Sequence, residues 1–389
     1  MQIIAFHLDE AGPRRLYDAL FDRCPAAFLQ QSTLWAEVIA ELGPDTPLFL
    51  LALCDGEPIA GLPLYLYVHR LGNVLTSVPQ AGPLGGVFHL PDLAPSTRED
   101  CFRALLAEAM AQARRHRCVA LSIITNPFAD DLPQYQRHFA PDYLLENFTQ
   151  VIDLGTFFGS NGEVRLPDYH RHSNLRRNLD KGRRAALTAR CNLRPGELDR
   201  LYELHRRRHA EIGAAPLDPR LLRNIAAILV PRRKATFIVV EAAGSVVSWG
   251  LYLHHERVMD VLRLNLDSAA MAVGPNFYNT NISLALARDL GVTHYHWQSS
   301  PSRESGIYRY KQQWGAREAV YYYATRLLCP VDYLRQLGLA TIQTEYPLHF
   351  LVPYLAAANG FAPGRYRKGD NRDPAKIFSP GSESPPMLG

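Results

Sequence analysis

The feature that most limits what this chain can fold into is an order of elements that occurs twice. Residues 48–54 are an apolar, strand-like run, Asp55 and Gly56 are a hairpin turn signal, and residues 58–68 read as the returning strand. A glycine-rich turn at residues 80–86 leads to a helix from Ser96 to about Arg117, where Ser96 and Glu99 have the spacing of a capping box. Short strands follow at residues 119–124 and 150–154. In the second half, residues 236–241, 246–254 and 257–266 read as three strands, the first two joined by Ala243 and Gly244. Gly274 and Pro275 open a helix to about Leu290, a strand follows at 293–298, and residues 316–328 form a last long strand. Two helices, 197–212 and 219–229, precede this second set. What repeats is topology; no residue-level identity joins the halves.

The expected fold is therefore mixed α/β, with two domains in tandem, each a mostly antiparallel sheet flanked by helices. A chain of 389 residues is too long for one compact domain and comfortable for two. The first is expected at 1–155, a linker with a basic helix at 156–190, and the second, carrying the active site, at 191–330. A helical extension and a disordered tail fill 331–389.

Composition removes several classes of function. The net charge of +4 is too small to argue for nucleic acid by itself. None of the six cysteines forms a C-x-x-C pair, which fits reduced thiols in a cytosolic chain. Residues 1–10 lack a basic and apolar leader, and no apolar run approaches the roughly 20 residues of a membrane helix. A soluble, cytoplasmic protein is expected; the oligomeric state is not legible. There is no Walker loop, no G-x-G-x-x-G after a strand and no G-x-S-x-G elbow.

Two segments carry the chemistry. Between Arg165 and Arg190 the only acids are Asp168 and Asp180, against Arg171, Arg176, Arg177, Lys181, Arg183 and Arg184. Guanidinium forks suit phosphate or carboxylate, although most charge runs are solvated helix faces. The later segment runs from Trp297, Gln298 and Ser299 through Tyr308, Tyr310 and Lys311 to Trp314 and Gly315. His294 and His296 alternate on one strand face, but two histidines alone do not satisfy zinc, and no metal is expected. Asp260 lies inside an otherwise apolar strand and is placed to accept an amine proton, unless it merely faces solvent.

The pattern Tyr310-Lys311 with Trp314-Gly315, together with Asn174, Arg176 and Arg177 on the basic helix, resembles the FemAB-like and BioF2-like acyltransferases. These are the tandem branch of the GNAT superfamily. Phe28 to Ser32 with Trp35, and Gly82 with Pro83, resemble that family's first half, so the likeness spans roughly residues 25–328. It implies N-acyl transfer from an acyl thioester, acyl-CoA or an acyl carrier protein, to a primary amine of a small or cell-envelope-precursor substrate. Lys311, Tyr310 and Asp260 are then the catalytic residues, with Lys311 an ammonium aimed at developing negative charge. Arg171, Asn174, Arg176, Arg177, Trp297, Gln298 and Ser299 are the substrate-side residues, and Gly274 and Asn276 the cofactor-side ones. Two departures keep other readings open. The helical-hairpin insertion common in aminoacyl-tRNA-dependent Fem transferases has no room here. The usual CoA loop before the helix is replaced by residues 271–275. The rivals are an aminoacyl-tRNA-dependent transferase, with a basic RNA-holding surface, and a non-catalytic binding protein with a degenerate site.

Overall fold

The computed structural model describes residues 1–77, 84–157, 173–347, 349 and 351–368. The glycine-rich turn is therefore described only from Leu84 onward. Arg171, the start of the basic helix and the expected tail lie outside the described residues.

In chain order the first elements are β1 (Gln2–Phe6), α1 (Ala11–Asp22), α2 (Thr33–Ile39), β2 (Asp45–Cys54), β3 (Glu57–Tyr67), β4 (Asn73–Thr76) and β5 (Phe88–His89). Then come α3 (Pro95–Arg115), β6 (Cys118–Ile124), α4 (Leu132–His138) and β7 (Tyr143–Asp153). Next are α5 (Leu154–Phe157), α6 (Ser173–Arg184), β8 (Thr188–Arg190), α7 (Leu198–Glu211), α8 (Pro219–Asn224), β9 (Ala235–Ala242), β10 (Ser245–His255) and β11 (Val258–Leu266). The chain closes with α9 (Pro275–Asp289), β12 (His294–Ser299), α10 (Gly306–Gln313), β13 (Arg317–Leu327), α11 (Val331–Glu345) and β14 (Gly364–Arg367).

The described residues form two compact units, one from 1–148 and 319–368, the other from 149–318. Each is built on a two-residue hairpin. Asp55 and Gly56 join β2 to β3 with φ of 51° and 86°, and Ala243 and Gly244 join β9 to β10 with φ of 46° and 78°. Two successive positive φ values give the turn whose twist matches antiparallel strands. A third strand then pairs antiparallel, β4 on β3 in the first unit and β11 on β10 in the second. A helix crosses over, α3 or α9, and the next strand returns parallel: β6 beside β4, β12 beside β11.

The strands that complete each unit are exchanged between the halves of the sequence. Tyr323 to Leu327 of β13 pair with β6 in the first unit, whereas Val151 to Asp153 of β7 pair with β12 in the second. In the first unit α3 covers one sheet face with Cys101, Phe102, Leu105, Leu106 and Ala109. The extension covers the other, with Leu334, Ile342, Tyr346, Leu351 and Val352 against Val74, Ala120 and Tyr143. In the second unit Leu284 and Ala287 of α9 meet Ile238, Tyr252, Met259, Val261 and Tyr295.

The capping box expected at Ser96 is not formed. The cap position lies two residues earlier, at Ala94, which makes no side-chain cap, with Pro95 in the first turn. Proline suits that place because its missing N–H has no intrahelical partner there and its φ is already helical. Glu99 instead accepts from Arg137 at 2.6 Å.

Candidate active site

The second unit's sheet opens at one point. β11 and β12 pair through Val258↔His294, Met259↔Tyr295 and Asp260↔His296, and the ladder stops there, although both strands run on. Strand ends that part in this way are where ligands gather in open sheets. On its other side β12 carries a bulge against β7, between His296 and Ser299. Within it Gln298 adopts φ +58°, a left-handed conformation few side chains take.

Side chains converge on this irregularity. His296, fully buried, places Nδ1 2.7 Å from Oδ1 of Asp260. A carboxylate can only accept, so Nδ1 bears the proton, and Nε2, 2.8 Å from the Thr149 hydroxyl, accepts. Gln298 donates from Nε2 to Oδ2 of Asp260 at 2.8 Å, which turns its amide oxygen away from the carboxylate. From α10, Lys311 reaches back so that Nζ donates to the backbone oxygens of Gln298 at 3.1 Å and Ser299 at 3.0 Å. Lys311 is only 5% exposed, so its ammonium is an internal clamp on the end of β12 rather than a surface charge. Trp314 and Gly315 make this possible. Trp314 is fully buried, and Gly315 turns the chain at φ 80° into β13.

The other residues singled out from the sequence divide. Ser299 is joined to the clamp through its carbonyl. Trp297 is buried on the opposite face, edge-on to Tyr295 and Tyr310. Tyr310 bonds Thr280 at 2.9 Å and the backbone oxygen of Asn276 at 3.1 Å, and burial pushes its phenol well above the ordinary value. Tyr308 donates to Glu318 at 2.6 Å, and burial, reinforced by that carboxylate, pushes it up to about 12. Gly274, at φ 68°, caps α9 so closely against α6 that an added Cβ would lie 2.9 Å from the Asn178 oxygen. The Asn276 side chain accepts from Ser248 at 2.8 Å. Asn174 donates to Gln313 of α10 at 3.2 Å, and Arg177 donates to Asn174 at 3.0 Å. Arg176 points outward, its side chain 61% exposed and 3.9 Å from Asp180. His294 does not share the buried network; it lies against the Thr293 hydroxyl at 2.8 Å. Among the described residues no cluster of His, Cys, Asp and Glu could hold a metal ion.

A second polar group on β11 escaped sequence reading. Tyr252 pairs with Val261 and Leu251 with Arg263, so Leu262 is an extra residue in the strand. Met259, Val261 and Leu264 face the α9 core. The extra residue therefore puts Arg263 and Asn265 on the face that carries Asp260. There the Leu217 N–H donates to Nε2 of fully buried His205 at 2.9 Å, and His205 Nδ1 lies 2.8 Å from Oδ1 of Asn265.

Burial pushes the His205 imidazolium down from 6.5 to about 4. A histidine depressed on folding stabilises fully above its unfolded value and loses that contribution as pH falls through the window from 6.5 to 4. The loss should reach about 3 kcal/mol. Urea unfolding at pH 7 and pH 4.5 measures it. A His205→Gln variant should show a shallower loss over that range; an identical loss would remove His205 as its source.

Residues 170–312 match the acetyltransferase (GNAT) domain family. Among solved structures, FemX is similar at TM-score 0.61 and 16% identity, covering 83% of this chain and 97% of that one. The L-PGS of Bacillus licheniformis is similar at TM-score 0.54 and 13% identity, covering 88% and 98%. The C-terminal domain of a putative lysylphosphatidylglycerol synthetase from Agrobacterium fabrum is similar at 0.53 and 14%, covering 88% and 99%. No curated protein matches the chain in sequence. Among the described residues no helix is long and apolar enough to cross a membrane. The second half thus carries a GNAT acetyltransferase-domain match, and the chain shares the fold of FemX over most of its length.

Proposed function

We propose that this protein transfers an acyl group from a thioester, acyl-CoA or an acylated carrier protein, to a primary amine of a small or cell-envelope-precursor substrate. The observation that carries this reading is the Gln298 turn at the parting of β11 and β12, clamped by Lys311 and oriented by Asp260. Asp260 and His296 hold the Gln298 amide so that its oxygen faces outward, ready to accept an N–H of the incoming amine. The amine lone pair attacks the acyl carbon, the carbon–sulfur bond breaks, and the thiolate takes up the proton the nitrogen loses. No enzyme nucleophile is required. Asp260 is a positioning residue in this scheme, since both its oxygens are already bonded.

The exposed basic face of α6 favours a second reading, in which the donor is a longer polyanion such as aminoacyl-tRNA. That donor would bind with a steep salt dependence. Thiol release from an acyl-CoA panel with mixed amines, beside mass spectrometry of ligand retained by the purified protein, tests the first reading. Thiol release that depends on added amine supports it; none from any thioester, with aminoacyl-tRNA consumed instead, supports the second. Either donor is anionic. Arg176→Ala should raise the donor KM about tenfold, the lower end for a charged hydrogen bond, because the side chain is exposed. The melting temperature should not move. An unchanged KM would leave α6 a solvated face.

A further inference from the structure

The bulged part of β11 holds two buried donors that nothing in the described protein satisfies. Asn265 is 3% exposed, and its Nδ2 has no partner. Its orientation is imposed rather than chosen. Leu217 N–H occupies Nε2 of His205, so Nδ1 must carry the proton, and Oδ1 of Asn265 must receive it. Both hydrogens of Nδ2 are thereby turned away from His205. Two residues away, the Arg263 guanidinium donates from Nη1 to the Leu262 carbonyl at 2.9 Å, while its buried Nε has no partner. Arg263 forms no ion pair within the described residues. Its strongest electrostatic neighbour is Asp260, whose oxygens are bonded to His296 and Gln298. Burial pulls this guanidinium below its ordinary value, and the Asp260 charge offsets that only in part.

A buried donor left unpaired costs about 1–3 kcal/mol, so two such donors, one on the arginine and one two residues away, are a standing demand for an oxygen ligand. The fork of Arg263 fits a planar two-oxygen acceptor, and Asn265 adds a neutral donor beside it. Asp260 links this pair to Gln298, whose amide oxygen, turned away from the carboxylate, suits an N–H. We propose that Arg263 and Asn265 form a carboxylate-binding subsite, and that the acyl acceptor is an amino-acid-like compound whose carboxylate docks there while its amine meets Gln298. This rests on the acyl-transfer reading above and names its acceptor class.

The probes are glycine, β-alanine, γ-aminobutyrate, the protein amino acids and short dipeptides, each beside its carboxamide, titrated calorimetrically into the full chain. Inorganic phosphate and O-phosphoethanolamine form a second arm. At least one acid should bind no less than tenfold more tightly than its amide. Arg263→Gln should erase that preference, while Arg263→Lys, which keeps charge but loses the fork, should keep part of it. Melting temperatures of both variants report folding; if Arg263→Gln does not fold, the comparison passes to Arg263→Lys and Asn265→Asp, whose carboxylate should repel the acids. Amides that bind as well as acids, acids that do not bind, or phosphate compounds that bind in their place would each overturn the proposal. Amine-dependent thiol release is followed in parallel. If it is absent while acids still bind through Arg263, acyl transfer fails and the subsite stands; if it persists without acid preference, the reverse holds.

Discussion

Lys311→Met should lower turnover, because the lysine ammonium holds the turn that presents the Gln298 amide to the amine. Methionine keeps the apolar stem, which by itself would leave stability nearly normal. The buried position of Lys311 changes that expectation. Without the ammonium, the Gln298 and Ser299 carbonyls lose a charge-assisted donor in an enclosed place, which should cost about 2–4 kcal/mol. The left-handed turn at Gln298 then relaxes, and its amide is no longer held towards the amine. Single-turnover rates and urea midpoints on the same preparations separate the two effects. Lys311→Arg should recover stability more than rate, because a planar fork cannot meet two successive carbonyls as a point charge does. Full turnover by Lys311→Met would remove the lysine from the mechanism.

The second large effect is expected at Asp260. Asp260→Ala leaves the His296 Nδ1–H and the Gln298 amide without an acceptor, and each buried donor left unpaired typically costs about 1–3 kcal/mol. Asp260→Asn is more informative. Its oxygen can still receive His296, but its NH2 then confronts the Gln298 NH2, and the Gln298 amide must flip. That turns a donor towards the incoming amine. The KM for the acceptor should rise at least tenfold at modest cost in stability, with the KM for the donor unchanged. Equal changes in both would show that Asp260 only supports the strand.

Much of the architecture is legible because its signals are local. Asp55-Gly56 and Ala243-Gly244 announce their hairpins, and Trp314-Gly315 announces the end of the helix that carries Lys311. What stays hidden depends on register or partner. Arg263 and Asp260 are three apart, which in a regular strand puts them on opposite faces; only the extra residue Leu262 reconciles them. Asn265 looks like a strand asparagine until His205, sixty residues earlier, fixes its amide. The helix α1 is not legible either, with only three buried residues among twelve, a sparse signature on an otherwise polar stretch. The exchange of β7 and β13 is invisible for another reason: an apolar strand does not state which sheet it will complete.

That exchange has a consequence for how the chain is made. The first unit's sheet has an unpaired edge at β6 until residues 323–327 arrive, and its far face lacks α11 until later still. Domains emerging from a ribosome usually close one after another, N-terminal first. Here the N-terminal unit must wait through synthesis of nearly the whole second unit, with an apolar strand edge open to any neighbouring chain. A ribosome-bound intermediate halted before β13 should therefore be protease-sensitive and a client for chaperones. The finished protein carries no trace of that vulnerability.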